Sequence, residues 1–222
     1  MARVKLCGIR SARDRAVAVE SGADALGFLV GLTHTSEDGL TPDTARDLIR
    51  SLPPFVTSVL VTHLTRPDEI AALAQMIGAQ DIQLQGELTP NEVARLRNLA
   101  PHHKLIKALH VTPGATAEQI AALAGDYEPL VDALLLDSRT ADRLGGTGQT
   151  HDWRVSGAIR RIVRKQVILA GGLRPENVRA AIEAVAPFAV DVNSGVEDGN
   201  GDKDADRCRA FVRMAHAAQL IG

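Results

Sequence analysis

Cys7 closes the apolar run Val4-Lys5-Leu6 and is followed at once by Gly8. A thiol placed where a buried strand opens into a loop can serve as a base or a nucleophile once it ionises. Its plain alternative is a small buried hydrophobe. A second reactive type ends the run Leu134-Leu135-Leu136-Asp137. A carboxyl there either caps the next helix or stands in the mouth of a site and exchanges protons. Whether the two can act at one place depends on a fold that brings their distant positions together.

Two glycine-bearing segments near the carboxyl end suggest where an anion would sit. Ala170-Gly171-Gly172-Leu173 leads into Arg174-Pro175-Glu176-Asn177-Val178, and Asp191-Val192-Asn193-Ser194-Gly195 follows the next apolar run. Glycines let the backbone N–H groups approach a phosphate closely, and Ser194 adds a hydroxyl donor. Turn chemistry alone would also use such glycines. A third segment, Gly145-Gly146-Thr147-Gly148, lacks the Lys-Ser/Thr ending of a nucleotide-binding P-loop. It reads as a flexible loop over the mouth, with Trp153 packing at the next helix start.

The elements that must position these groups alternate along the chain. Strands are expected at Val4–Cys7, Ala25–Val30, Thr57–Val61, Asp81–Leu84, Lys104–Leu109, Ala133–Asp137, Gln166–Ala170 and Phe188–Val192. Continuous apolar runs indicate strands buried on both faces, as in a parallel sheet. Helical spacing marks Ser11–Ser21, Pro42–Ser51, Pro67–Ile77 and Pro90–Leu99 between them. Thr41-Pro42 and Thr89-Pro90 are good helix starts, with the hydroxyl as cap and proline in the first turn. Eight strands alternating with helices in 222 residues predict a single (βα)8 TIM barrel spanning residues 1–222, rather than a doubly wound sheet. In such a barrel Cys7 and Asp137 share the carboxyl-end mouth. The loops after strands seven and eight form the usual phosphate site.

Composition removes other classes. A net charge of −2 offers no electrostatic footprint for nucleic acid or an anionic membrane. Two cysteines, Cys7 and Cys208, make neither a disulfide framework nor a zinc pattern, which points to a reducing cytoplasm. No run approaches the roughly 20 apolar residues of a membrane span, and the amino terminus lacks the apolar core of a signal peptide. No His, Asp and Glu grouping has metal-site spacing. Cys208 reads as a packing residue, and His102 and His103 as surface loop residues.

These residues spell a family. Lys5-Leu6-Cys7-Gly8-Ile9, Gly22-Ala23-Asp24-Ala25-Leu26-Gly27-Phe28 and Gln83-Leu84-Gln85-Gly86-Glu87 resemble phosphoribosylanthranilate isomerases in order and spacing. So do Leu136-Asp137-Ser138, Gly145-Gly146-Thr147-Gly148, Asp152-Trp153, Ala170-Gly171-Gly172-Leu173 and the stretch from Asp191 to Glu197 with Lys203-Asp204. The resemblance implies a single-domain barrel, without metal or organic cofactor, acting on a small phosphorylated sugar-amine as a monomer or homodimer. The reaction it implies is an Amadori rearrangement in tryptophan biosynthesis.

Carried over by position, Cys7 matches the family's general base and Asp137 its general acid. Gly171, Gly172, Gly195 and Ser194 would hold the substrate phosphate, Asp191 would lie near the sugar hydroxyls, and Gln83 and Arg10 would be further substrate contacts. Asp137 must then stay protonated near neutrality, against an ordinary value of about 4. Cys7 must be partly thiolate, against about 8.5, helped by Lys5 or Arg10.

Three departures stand out. The loop Gly31–Leu40 lacks the family's Ser-Pro-Arg segment and carries His34, Glu37 and Asp38 instead. Gln85 replaces the histidine of Gln-Leu-His-Gly, and Asn193 replaces the first serine of Ser-Ser-Gly. Without the loop arginine, Arg10 is the candidate cation for the substrate's aromatic carboxylate. Two other readings remain open: an aldose–ketose isomerase acting on a different phosphoribosyl-amine, and a non-catalytic barrel that binds a phosphometabolite.

Overall fold

The structure, a computed structural model, describes residues 1–33, 36–138 (Ser138 by its backbone alone) and 152–218. The first half runs β1 (Arg3–Leu6), α1 (Ala12–Glu20), β2 (Ala25–Val30), β3 (Gly39–Leu40), α2 (Pro42–Arg50), β4 (Thr57–Thr62), α3 (Pro67–Ile77), β5 (Asp81–Leu84) and α4 (Pro90–Leu99). The second half runs β6 (Lys104–Val111), α5 (Ala117–Tyr127), β7 (Ala133–Ser138), α6 (Trp153–Ile162), β8 (Gln166–Leu169), α7 (Val178–Val185), β9 (Ala189–Val192), a 3₁₀ turn at Ser194–Val196, and α8 (Ala205–Ala217).

All strand pairs in the sheet are parallel, and β1 pairs with both β9 and β2, which closes the barrel. The expected TIM barrel is therefore the observed fold, its eight staves being β1, β2 and β4 to β9. The sequence reading omits β3, a two-residue strand lying beside β2 at Leu29 and Val30. It is too short to carry a periodic signal. Cys7 lies one residue past β1, at the mouth end of that stave.

Alternation along each strand divides the core. One set of side chains packs outward against the helices, including Leu6, Phe28, Leu60, Ile82, Leu134 and Leu169. The alternate set fills the barrel itself: Cys7, Val59, Val61, Ile106, Ala108, Ala133, Leu135, Ile168, Ala170 and Ala189. Two-sided burial is why the strands read as continuous apolar runs. The helix starts follow local chemistry: Thr89 accepts from Glu92 N while the Glu92 side chain returns to Thr89 N, a reciprocal cap.

Candidate active site

The barrel's inward ladder turns polar toward its mouth. On β1 the inward side chain before Cys7 is Lys5, only 4% exposed, and its Nζ donates to Asp191 Oδ1 on β9 at 2.9 Å. Asp191, expected beside sugar hydroxyls, is thus first a partner for Lys5, because Lys5 and Asp191 stand in register across the β1–β9 seam. Cys7 is buried beside this pair, its N–H bonded to Val192 O. Gly27 makes the space: a Cβ there would come within 2.7 Å of Cys7 Sγ and 3.0 Å of Lys5 Cε.

Burial pushes the Cys7 thiol up to about 11; the Lys5 ammonium pulls it down less strongly, and Asp191 adds to the rise. The expected partial thiolate therefore gives way to a protonated thiol near neutrality. Burial outweighs the ammonium beside it. Lys5 itself is fully buried, which opposes its charge, yet Asp191 and Cys7 together hold its pKa above the ordinary lysine range.

Across the barrel, Asp137 stands in register with His110 of β6, near the end of β7. Gln85 Nε2 lies 3.3 Å from Asp137 Oδ2, and Gln83 Nε2 lies 3.0 Å from Gln85 Oε1. Gln83 is buried in the stave below, facing Val61 and Ile106 in register. The replacement of histidine by Gln85 thus places an amide directly on the candidate acid. Gln83, expected to contact substrate, here makes a contact with Gln85.

At the rim, Gly171 and Gly172 adopt left-handed backbone angles (φ 89° and 63°), which only glycine accepts without strain. Asn177 ties the turn, its Nδ2 donating to Gly172 O at 3.0 Å and its Oδ1 accepting from Arg174 N at 2.8 Å. Gly195 opens the facing loop, and a Cβ there would fall on Leu173 O. The two loops line a cavity of about 520 Å³ formed by Gly172, Leu173, Arg174, Glu176, Ser194, Gly195 and Arg207. Of the expected phosphate residues, Gly172, Ser194 and Gly195 meet there. Arg174 and Arg207 supply cations the sequence reading missed. Arg207 is one turn into α8, far from either glycine motif in sequence, and only the fold returns it to them.

Arg10 is committed elsewhere. Its Nη2 donates to Asp202 Oδ1 at 2.8 Å and to Asn200 O at 3.2 Å, and its Nε lies 3.9 Å from Asp38 Oδ1. It therefore does not assist Cys7, and of the two cations considered only Lys5 reaches the thiol. Asp38 faces inward and accepts from Asn193 Nδ2 at 2.7 Å, while Asn193 Oδ1 accepts from the wholly buried Lys203 Nζ at 2.6 Å. Two of the three departures thus meet in one hydrogen bond. Gly8, at φ 71°, leaves room for the Asn193 side chain, where a Cβ would collide with Oδ1.

Gly145, Gly146, Thr147 and Gly148, with His34 and His151, lie outside the described residues. Asp152 caps α6 and Trp153 packs against the core, as expected of an anchor. Cys208 is fully buried in α8, and burial pushes its thiol up to about 11. His102 is exposed, whereas His103 is half-buried because Ala100 closes a turn over it.

Comparison with known proteins places this geometry. The family model described as N-(5'phosphoribosyl)anthranilate (PRA) isomerase matches residues 4–214. N-(5'-phosphoribosyl)anthranilate isomerase 2 of Methanosarcina mazei is 41% identical over 216 residues, covering 96% of this chain and 93% of that protein. The crystal structure of the isomerase from Thermotoga maritima superposes with a TM-score of 0.84 at 39% identity, covering 97% and 99% of the two chains. A second solved isomerase, in complex with reduced 1-(o-carboxyphenylamino)-1-deoxyribulose 5-phosphate, gives 0.81 at 37% identity, again covering 97% and 99%.

Proposed function

The chain belongs to the N-(5'-phosphoribosyl)anthranilate isomerase family, and we propose that it carries out that family's rearrangement with Cys7 as base and Asp137 as acid. The substrate is N-(5'-phosphoribosyl)anthranilate and the product its 1-deoxyribulose 5-phosphate aminoketose, in tryptophan biosynthesis. The carrying observation is the placement of the two groups. Both lie at the carboxyl ends of staves in one mouth, and the cavity of Gly172, Ser194 and Gly195 lies on its rim. The whole chain acts as one barrel domain in the cytoplasm.

The chemistry uses each group once. Asp137 gives its proton to the ribose ring oxygen as the C1–O bond breaks, leaving an iminium at C1. Cys7 Sγ removes the proton from C2, and that electron pair forms the C1–C2 double bond while the nitrogen becomes neutral. The enolamine then takes a proton at C1 and presents a carbonyl at C2. Every step is a proton transfer or an internal bond shift. The phosphate, held by the loop backbone, Ser194, Arg174 and Arg207, fixes the sugar against both groups. A substrate carboxylate approaching Arg10 would displace Asp38, the more distant of its two carboxylates.

The test follows the substrate's fluorescence, which is lost on rearrangement. Freshly generated phosphoribosylanthranilate should be consumed by the wild type and not measurably by Asp137→Asn. No turnover, with phosphate analogues still raising the melting temperature, would favour a binding barrel instead. The loop geometry has its own expected outcome. Gly195→Ala must push Leu173 aside, and a misplacement of about 1 Å at a site costs about 100-fold. KM should rise accordingly, and protection of the fold by inorganic phosphate should fall with it.

A further inference from the structure

The amides of Gln83 and Gln85 differ from other side-chain amides at the mouth in one respect: nothing chemical fixes which way they point. Asn193 cannot turn, because its oxygen faces the Lys203 ammonium and its nitrogen the Asp38 carboxylate. Gln85, by contrast, stands between the carboxyl of Asp137 and a second amide. Gln83 has its inner atom on Gln85 and its outer atom, Oε1, buried without a hydrogen-bond partner. Turning Gln83 over therefore breaks no bond at its far end. In the orientation shown, the N–H groups run toward Asp137 and suit a carboxylate.

From this we propose that Gln83 and Gln85 are positioning residues forming a reversible amide relay that turns over with the protonation of Asp137. When Asp137 is ionised, Gln85 Nε2 donates to it and Gln83 Nε2 donates to Gln85 Oε1. When Asp137 is protonated, its O–H donates to Gln85 Oε1 and Gln85 Nε2 donates to Gln83 Oε1. Two hydrogen bonds exist in each state, and the only atom that moves between molecules is the proton passed to the substrate. An acid must be held in one place through both halves of its cycle, and the relay supplies a partner of the right polarity to each. The inference rests on Asp137 acting as the acid.

Among the described residues, His110 on β6 stands in register beside Asp137, and the uncharged Ala170, just past β8, bonds by its N–H to Leu136 O next to it. The experiment is an NMR titration of the wild-type protein. It follows the carboxyl ¹³C of Asp137, the ring signals of His110 and the side-chain NH2 signals of both glutamines. Both NH2 groups should move at the Asp137 midpoint and stay flat there in Asp137→Asn. If Gln85 moves while Gln83 stays flat, the relay is wrong. Turnover supplies a second reading: Gln85→Leu should lower kcat about tenfold, and Gln83→Leu should add nothing in that background. Gln85→His should recover most of the loss, since an imidazole also donates from one side and accepts on the other. Additive losses from Gln83→Leu and Gln85→Leu would overturn the coupling. The titration needs no turnover, so a chain inactive in the fluorescence assay would still report on the relay.

Discussion

Cys7→Ser should lower kcat/KM by about 10²–10⁴-fold, the range a positioned proton-transfer group supplies, while the melting temperature stays near that of the wild type. Serine fits the space that Gly27 leaves beside Lys5, so packing is preserved. Its hydroxyl cannot ionise usefully there. The wild type should also show a pH signature. With the thiol pushed up to about 11, the thiolate is a minority that grows about tenfold with each unit of rising pH up to that value. The base-dependent limb of kcat/KM should therefore climb with pH for as long as Asp137 keeps its proton, and level off once that proton is lost. Initial rates of fluorescence loss across pH would show the climb. A serine variant within threefold of the wild type, or a wild-type profile that falls with rising pH while Asp137 is still protonated, would remove Cys7 from the mechanism.

The second large effect concerns the ion pair beneath the thiol. Lys5→Met strips Asp191 of its ammonium while leaving the carboxylate 7% exposed inside the barrel. Removing one member of a buried pair typically costs about 3–5 kcal/mol, so chemical denaturation should show a loss of that size. Activity should fall as well, because Lys5 supplies the largest opposition to burial at the thiol. The double variant Lys5→Met with Asp191→Asn separates the two consequences. It should regain most of the stability, having no unpaired charge, and stay slow. Recovery of rate together with stability would mean that Lys5 serves only the fold.

The barrel and the places of Cys7 and Asp137 at its mouth were legible because each depends on local pattern. Cys7 and Asp137 end continuous apolar runs, and glycines mark the phosphate loops. The ionisation of Cys7 was not legible in the same way. It turns on burial inside the closed barrel outweighing Lys5, with Asp191 adding to the rise from the far end of the chain, and no local window holds all three. Arg10 failed as a helper of the thiol for a similar reason, since Asp202 and Asp38 reach it only after folding. Arg207 shows the reverse case, a helix residue unremarkable in sequence that the fold delivers to the cavity between the two glycine loops. The departures at Asp38 and Asn193 read as separate anomalies along the chain, and as one contact in space.

The seam between β1 and β9 gives the base a particular history during synthesis. Cys7 emerges early, but its neighbour Lys5 meets Asp191 only when the last stave arrives and the ring closes. Asp137, Ser194, Gly195 and Arg207 likewise belong to the later half. An amino-terminal fragment should therefore be chemically silent even where its strands have formed. Catalysis in this chain doubles as a proofreading mark for completed biosynthesis: only a molecule whose two ends have found each other can turn over.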